Sequence, residues 1–165
     1  MTTTARTPLP GRDEFCATMA HLATGVAVIT TDGPDGPVGC TANALLSLST
    51  EPPSVLVSLA SAGRTVRATR DHGRFAVNIL SWQQRDLMDR FARLPAAERF
   101  QGVAHRHEEG CPVLEGTTAT VVCRLDQAPT ALDHTLLIGR ALWTAQTPDA
   151  RALVLYQHQQ NAVTA

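Results

Sequence analysis

The stretch Gly39 to Pro53, GCTANALLSLSTEPP, constrains this chain more than any other segment. It runs from an extended run straight into a Pro-Pro stop, and its small residues Thr41, Ala42 and Asn43 would let a flat ligand lie close to the main chain. Upstream, GVAVITT (25–31) is β-branched and apolar, and DGPDGP (32–37) is dense turn chemistry. Together they read as a β-hairpin whose second strand runs from Val38 through Ser49. Beyond the prolines, 54–60 supplies another buried strand.

Elsewhere the pattern alternates single helices with many strands. Residues 1–10 read as a disordered arm, and 13–22 as a short amphipathic helix with Phe15, Met19 and Leu22 on one face. After a loop at 61–63, residues 64–70 make two helical turns before the Asp71-His72-Gly73 stop. Residues 75–80 are strand-like, 82–94 form a helix carrying Leu87, Met88 and Phe91 inward, and Pro95 ends it. The section 96–116 reads as loop, 117–128 and 133–144 as long strands, 152–156 as a last short one, and 158–165 as a polar tail. Strands joined by short turns predict one mainly β domain over 11–157, a barrel with peripheral helices rather than a doubly wound sheet.

Composition narrows the partners. The 165 residues carry a net charge of -1, which offers no broad attraction for nucleic acid or an acidic membrane, so a small neutral or anionic molecule fits better. All basic residues are Arg; a Lys Schiff base is excluded, while each Arg brings a planar fork suited to phosphate. Cys16, Cys40, Cys111 and Cys123 form no CxxC pair, and no apolar run is long enough to span a bilayer, so free thiols and a cytoplasmic location are expected.

No GxGxxG follows a strand, and GxxxxGK[ST] and GxSxG are absent, so neither a Rossmann domain nor a P-loop is expected. His105, His107, Glu108, Glu109 and Cys111 crowd together, but their spacing matches no common zinc pattern and no metal is expected. His21 and His72 read as surface or capping residues. The loop 58–65 leaves two readings open: Ser61, Arg64, Thr65 and the start of a helix could hold a phosphate, or Ser61 could cap the helix while Arg64 points to water. His134, at the mouth of the strand HTLLIG, could meet a ligand or simply bond Asp133.

The ordered succession ATGVAVITT, GCTANALLSLSTEPPSVLVSLA, RTVRATRDHGRFAVNIL, DLMDRFA, GCPVLEG, ATVVCRL and DHTLLIGRAL, from about Phe15 to Tyr156, resembles the flavin reductase components of two-component monooxygenase systems. That resemblance implies an FMN-binding, Greek-key-like split β-barrel and a homodimer with FMN or FAD near the subunit interface. It further implies NADH or NADPH as reductant and a partner monooxygenase that receives reduced flavin. Carried onto this sequence, Cys40, Thr41, Ala42 and Asn43 match positions lining the flavin ring and ribityl chain. Ser58, Leu59 and Ala60 match the strand end beside the ring, Ser61, Arg64 and Thr65 the phosphate loop, and His134 the nicotinamide contact. Phe75 and Asn78 read as core. No side chain is assigned a catalytic role, because hydride passes directly between the stacked nucleotides. Three departures stand out: Leu132 where relatives have Gly, Ala44-Leu45 after the flavin-strand Asn, and a tail without Gly-x-Tyr. The first motivates an alternative, a non-catalytic flavin-binding carrier on the same barrel. A pyridoxamine-phosphate-type oxidase would need a second basic cluster, which the chain lacks.

Overall fold

The computed structural model describes residues 9–164; most of the expected N-terminal arm, residues 1–8, lies outside them. Helix α1 (Arg12–Met19) leads into β1 (Thr24–Gly25), β2 (Ala27–Gly33), β3 (Gly36–Ala42), β4 (Leu45–Thr50) and β5 (Pro53–Ala60). Then come α2 (Arg64–His72), β6 (Arg74–Ile79), a 3-10 turn at Trp82–Gln84, α3 (Arg85–Arg93), α4 (Ala96–Arg99), β7 (His105–Glu108) and β8 (Cys111–Leu114). The last five strands are β9 (Ala119–Gln127), β10 (Thr130–Ala131), β11 (His134–Gln146), β12 (Ala152–Tyr156) and β13 (Gln159–Val163).

The main sheet has the order β3-β2-β6-β9-β11-β5-β4, antiparallel throughout. Strands β3 and β4 stand at its two ends, yet only Asn43 and Ala44 separate them in sequence. Laid flat, six strand spacings would put those ends roughly 29 Å apart, whereas three peptide steps reach at most about 11 Å. The sheet therefore has to curl. Ser58 N–H donates to Ala44 O at 2.8 Å, tying the joint to β5.

Curling encloses a core of Ala27, Ile29, Val57, Phe75, Val77, Cys123 and Leu137. The opposite faces of β2 and β6 are buried as well. Val26, Val28 and Leu80 pack outward with Phe91 of α3, Leu114 and Leu153 of β12, while Ala76 meets Cys111, Val113 and Val122. Asn78, fully buried, satisfies this outer layer: its amide donates to Val28 O (3.0 Å) and Thr30 Oγ1 (2.9 Å) and accepts from Leu114 N–H at 2.8 Å. Its expected core role is thus a polar clamp joining β6, β2 and β8.

Four expectations need revision. The strand read from Val38 to Ser49 is two strands, broken where Asn43-Ala44 cross from one sheet end to the other. The segment read as loop holds α4 and the β7–β8 hairpin, whose four-residue strands are too short for periodicity to reveal. The tail supplies β13, paired with β12 from Ala152↔Val163 to Tyr156↔Gln159. Finally, α1 buries nothing within the chain: Phe15, Met19 and Leu22 are 57%, 44% and 59% exposed.

Two predictions follow from the core. A Cβ on Gly139 of β11 would lie 2.5 Å from Phe75 Cζ and 2.7 Å from Cys123 Cβ, so Gly139→Ala should destabilise the fold by about 1–3 kcal/mol in denaturant melts. Burial pushes the Cys111 and Cys123 thiols up to about 12 from an ordinary 9.0, with Asp32 and the neighbouring Cys111 adding to the rise respectively. The folded state then holds protons that the unfolded state releases above pH 9. Stability is fully present below that pH and should fall by about 2 kcal/mol between pH 9 and 10, the two thiols together. In Cys123→Ala the slope should halve; an unchanged slope would remove Cys123 from the effect.

Candidate active site

Where the joint at Asn43-Ala44 turns from β3 toward β4, a cavity of about 440 Å³ opens beside β5 and the start of α2. Strand β3 contributes Val38, Cys40, Thr41 and Ala42, the joint Asn43 and Ala44, and β5 Ser58, Leu59 and Ala60. Gly63, Arg64, Thr65 and Val66 come from the first turn of α2, and His134 from the first position of β11, where it pairs with Ala60. Every site residue expected from sequence lines this space except Ser61. That side chain bonds Thr135 Oγ1 at 2.9 Å, and its N–H donates to Asp133 O.

The end of the cavity at the start of α2 is made by backbone. Gly63 N–H donates to Ala60 O at 2.9 Å in a tight turn, and a Cβ at Gly63 would press that oxygen at 3.0 Å. Gly63 is the N-cap of α2, and no side chain caps the helix. The expected alternative, Ser61 as cap, is therefore not realised. Helix geometry leaves the first-turn N–H groups without intrahelical acceptors, and these belong to residues that line the cavity. A helix start left uncapped at a cavity wall favours an anion.

Along β3, the joint and β5, the cavity is lined by the small side chains of Ala42, Ala44 and Ala60. Thr41 Oγ1 donates to Met88 O at 2.6 Å, so its proton fastens β3 to α3 and only its lone pairs remain for a ligand. Asn43 donates weakly to Thr24 Oγ1 at 3.4 Å. Burial raises the Cys40 thiol, opposed by its hydrogen bond with Thr65 and by the charge of Arg99, so the thiol stays neutral.

His134 Nδ1 sits 2.8 Å from Asp133 Oδ1. That bond holds the exposed Asp133 carboxyl below its ordinary range and fixes the ring tautomer, leaving Nε2 as an acceptor for an amide when the ring is neutral. Leu132, two residues earlier, has φ 56° and is 99% exposed. The backbone keeps the left-handed turn that Gly would favour, at a cost of roughly 1–2 kcal/mol.

Sequence reasoning missed the wall built by α3 and α4, which adds Phe91, Ala92, Ala96 and Arg99. Pro95 at the start of α4, followed by Ala-Ala-Glu-Arg, was the available signal. The histidines of the 105–111 segment take structural roles: His107 pairs with Asp32 at 3.1 Å, and His105 bonds Val103 O. Among the described residues, no three His, Cys, Asp or Glu side chains gather as a metal would need. Nor is any helix among them long and apolar enough to cross a membrane.

Against known proteins, the family model described as "Flavin reductase like domain" matches residues 19–164. A protein of Rhizobium meliloti, named as a probable flavin reductase, is 39% identical over 142 residues, 85% of this chain; the chain spans only 44% of that protein's length. FMN reductase (NADH) RutF of Stutzerimonas stutzeri is 35% identical over 147 residues, covering 88% of this chain and 84% of RutF. The crystal structure of nitrilotriacetate monooxygenase component B from Mycobacterium thermoresistibile superposes with a TM-score of 0.86 at 29% identity, covering 92% of this chain and 86% of that one. With a match running from the end of α1 through β13, this chain belongs to the flavin reductase like domain family.

Proposed function

We propose that this protein is an NAD(P)H-dependent flavin reductase that transfers hydride from NADH or NADPH to FMN or FAD and supplies the reduced flavin to a partner monooxygenase. The observation that carries the reading is the single cavity in which the small β3 and β5 residues, the uncapped start of α2 and His134 converge. Its size falls in the range of small-molecule sites, and among the described residues no Asp or Glu lines it, so it suits an anionic nucleotide. Relatives named as NADH-dependent FMN reductases and as a monooxygenase component point the same way.

In this reading Cys40, Thr41, Ala42 and Asn43 lie along the flavin ring and ribityl chain, and Ser58, Leu59 and Ala60 flank the ring. Arg64, Thr65 and the α2 N-terminus hold the phosphate, with Ser61 bracing the loop through Thr135. His134, its tautomer fixed by Asp133, meets the nicotinamide carboxamide. Once both nucleotides are bound, hydride moves between their rings, so the protein supplies position and exclusion of water rather than a nucleophile. The apolar side chains exposed on α1, with Leu46 and Leu48 of β4 at 49% and 44% exposure, support a homodimer that covers them; the proposed location is the cytoplasm. A non-catalytic carrier was motivated by Leu132, and the left-handed turn preserved there weakens that motive.

Mixing purified protein with NADH and free FMN or FAD should give steady loss of nicotinamide absorbance; no loss with any flavin would overturn the reading. Arg64→Ala should weaken FMN by about tenfold while changing riboflavin little, because only FMN carries the phosphate. His134→Ala should raise the KM for NADH several-fold with flavin affinity intact, and an unchanged NADH dependence would retire that role.

A further inference from the structure

We propose that Arg99 is a second phosphate-binding cation of the cavity, acting with Arg64 and the start of α2 on the phosphate of the bound flavin. The inference rests on the flavin reading above and adds a residue from an element that the sequence had left as loop. Arg99 is half-buried and lines the cavity. Its guanidinium is pinned on two sides: Nη1 donates to Gly39 O at 2.8 Å and Nε to Leu94 O at 2.9 Å. These bonds use two of its five N–H donors, and among the described residues no carboxylate stands within ion-pair distance. A fixed, partly desolvated cation without a counter-ion at the wall of a cavity is the arrangement expected of an anion site whose ligand brings the missing charge.

The surroundings identify which part of the ligand Arg99 meets. Arg64 and Ala96, the first residues of α2 and α4, line a second, smaller cavity together with Val38, so α4 and its Arg99 lie at the same end of the main cavity as the uncapped helix start. Its location is prepared by a scaffold of its own. Arg90 of α3 clasps the end of α4, donating to Arg99 O at 2.7 Å, to Glu98 O at 2.9 Å and to Gln101 O. Phe100 stacks edge-on against Phe91 at 5.0 Å between centroids. Four residues of helix would not hold a charged side chain in place unaided; this clasp does so. Because Gly39 leaves only 3.1 Å between a would-be Cβ and the Phe91 ring, α3 lies close against β3 and brings α4 within Arg99's reach of Gly39.

The competing role is a structural clip holding α4 to β3, and ligand comparison separates the two. Binding of FMN and of riboflavin is followed by quenching of flavin fluorescence for the native protein, Arg99→Gln, Arg99→Lys and Arg64→Ala, with inorganic phosphate as a competitor. For Arg99→Gln we expect FMN affinity to fall about tenfold or more while riboflavin changes less than about twofold. Arg99→Lys should retain part of the preference, and inorganic phosphate should displace FMN but not riboflavin from the native protein. Equal losses of both ligands in Arg99→Gln would assign the residue to the clip and overturn the proposal, as would an unchanged FMN-to-riboflavin ratio. If Arg99→Gln fails to fold, the lysine variant and the phosphate competition decide: full loss of preference in Arg99→Lys together with no phosphate effect rejects the role. A native protein that binds neither flavin rejects the flavin reading itself, whereas failure confined to Arg99 leaves that reading standing.

Discussion

The two-residue joint between β3 and β4 is the constraint from which the rest of this molecule follows. A chain that must place consecutive strands at opposite ends of a seven-strand path can do so only by bending the sheet back on itself. Bending gives the interior its apolar filling and leaves an opening where the ends meet, because Asn43 and Ala44 continue the chain but cannot continue a ladder. The Ser58–Ala44 hydrogen bond shows how that opening is held: one β5 amide answers the joint. The cavity is therefore a consequence of closure rather than a pocket added to a finished barrel.

Closure alone would leave β2 and β6 bare on their outer faces, and their sequences, buried on both sides, do not allow it. Helix α3, the β7–β8 hairpin and the β12–β13 pair supply the cover, and Asn78 makes that cover specific. Its amide can be satisfied only if Leu114 of β8 and Val28 of β2 are both in register. The same α3 that shields this layer presents Phe91 to Gly39 and carries Arg90 toward α4. Packing that serves stability thus also builds one wall of the site.

How much of this was legible in the sequence depended on the reach of each signal. The hairpin of β2 and β3, α2 with its Gly73 stop, β5, β6, β9 and β11 were readable because each carries a period or turn chemistry of its own. The break at Asn43-Ala44 was not, since neither residue is a strand breaker; only long-range topology interrupts the run there. Strands of four residues such as β7 and β8 offer too few positions to display alternation, and β13, which opens on Gln-Gln-Asn before Ala162 and Val163, reads as polar until β12 pairs with it. Site residues on β3, β5 and α2 were found because resemblance follows motifs. Arg99 was missed because its meaning comes from Arg90 and Phe91, which hold it in place across a turn that no local pattern announces.

Charge distribution makes the same point about what composition can conceal. A net charge of -1 offers no broad attraction for a polyanion, and the paired arginines help explain why. Arg74, Arg93, Arg106, Arg124 and Arg140 are matched with Glu109, Asp89, Glu108 and Asp126 on exposed surfaces, where such pairs contribute little to stability. Within the cavity the balance is local and one-sided: Arg64 and Arg99 line it, the Cys40 thiol stays neutral, and among the described residues no carboxylate lines it. An anionic nucleotide entering there supplies the opposite charge that the protein withholds. On the proposed reading, discrimination would come from the α2 end, where guanidinium and helix N–H groups are fixed in advance, while the flavin ring would need only small side chains and open main chain. On the proposed flavin reading, this division would let one site release its flavin after hydride transfer, because no covalent link or buried ion pair with the ring would have to be broken.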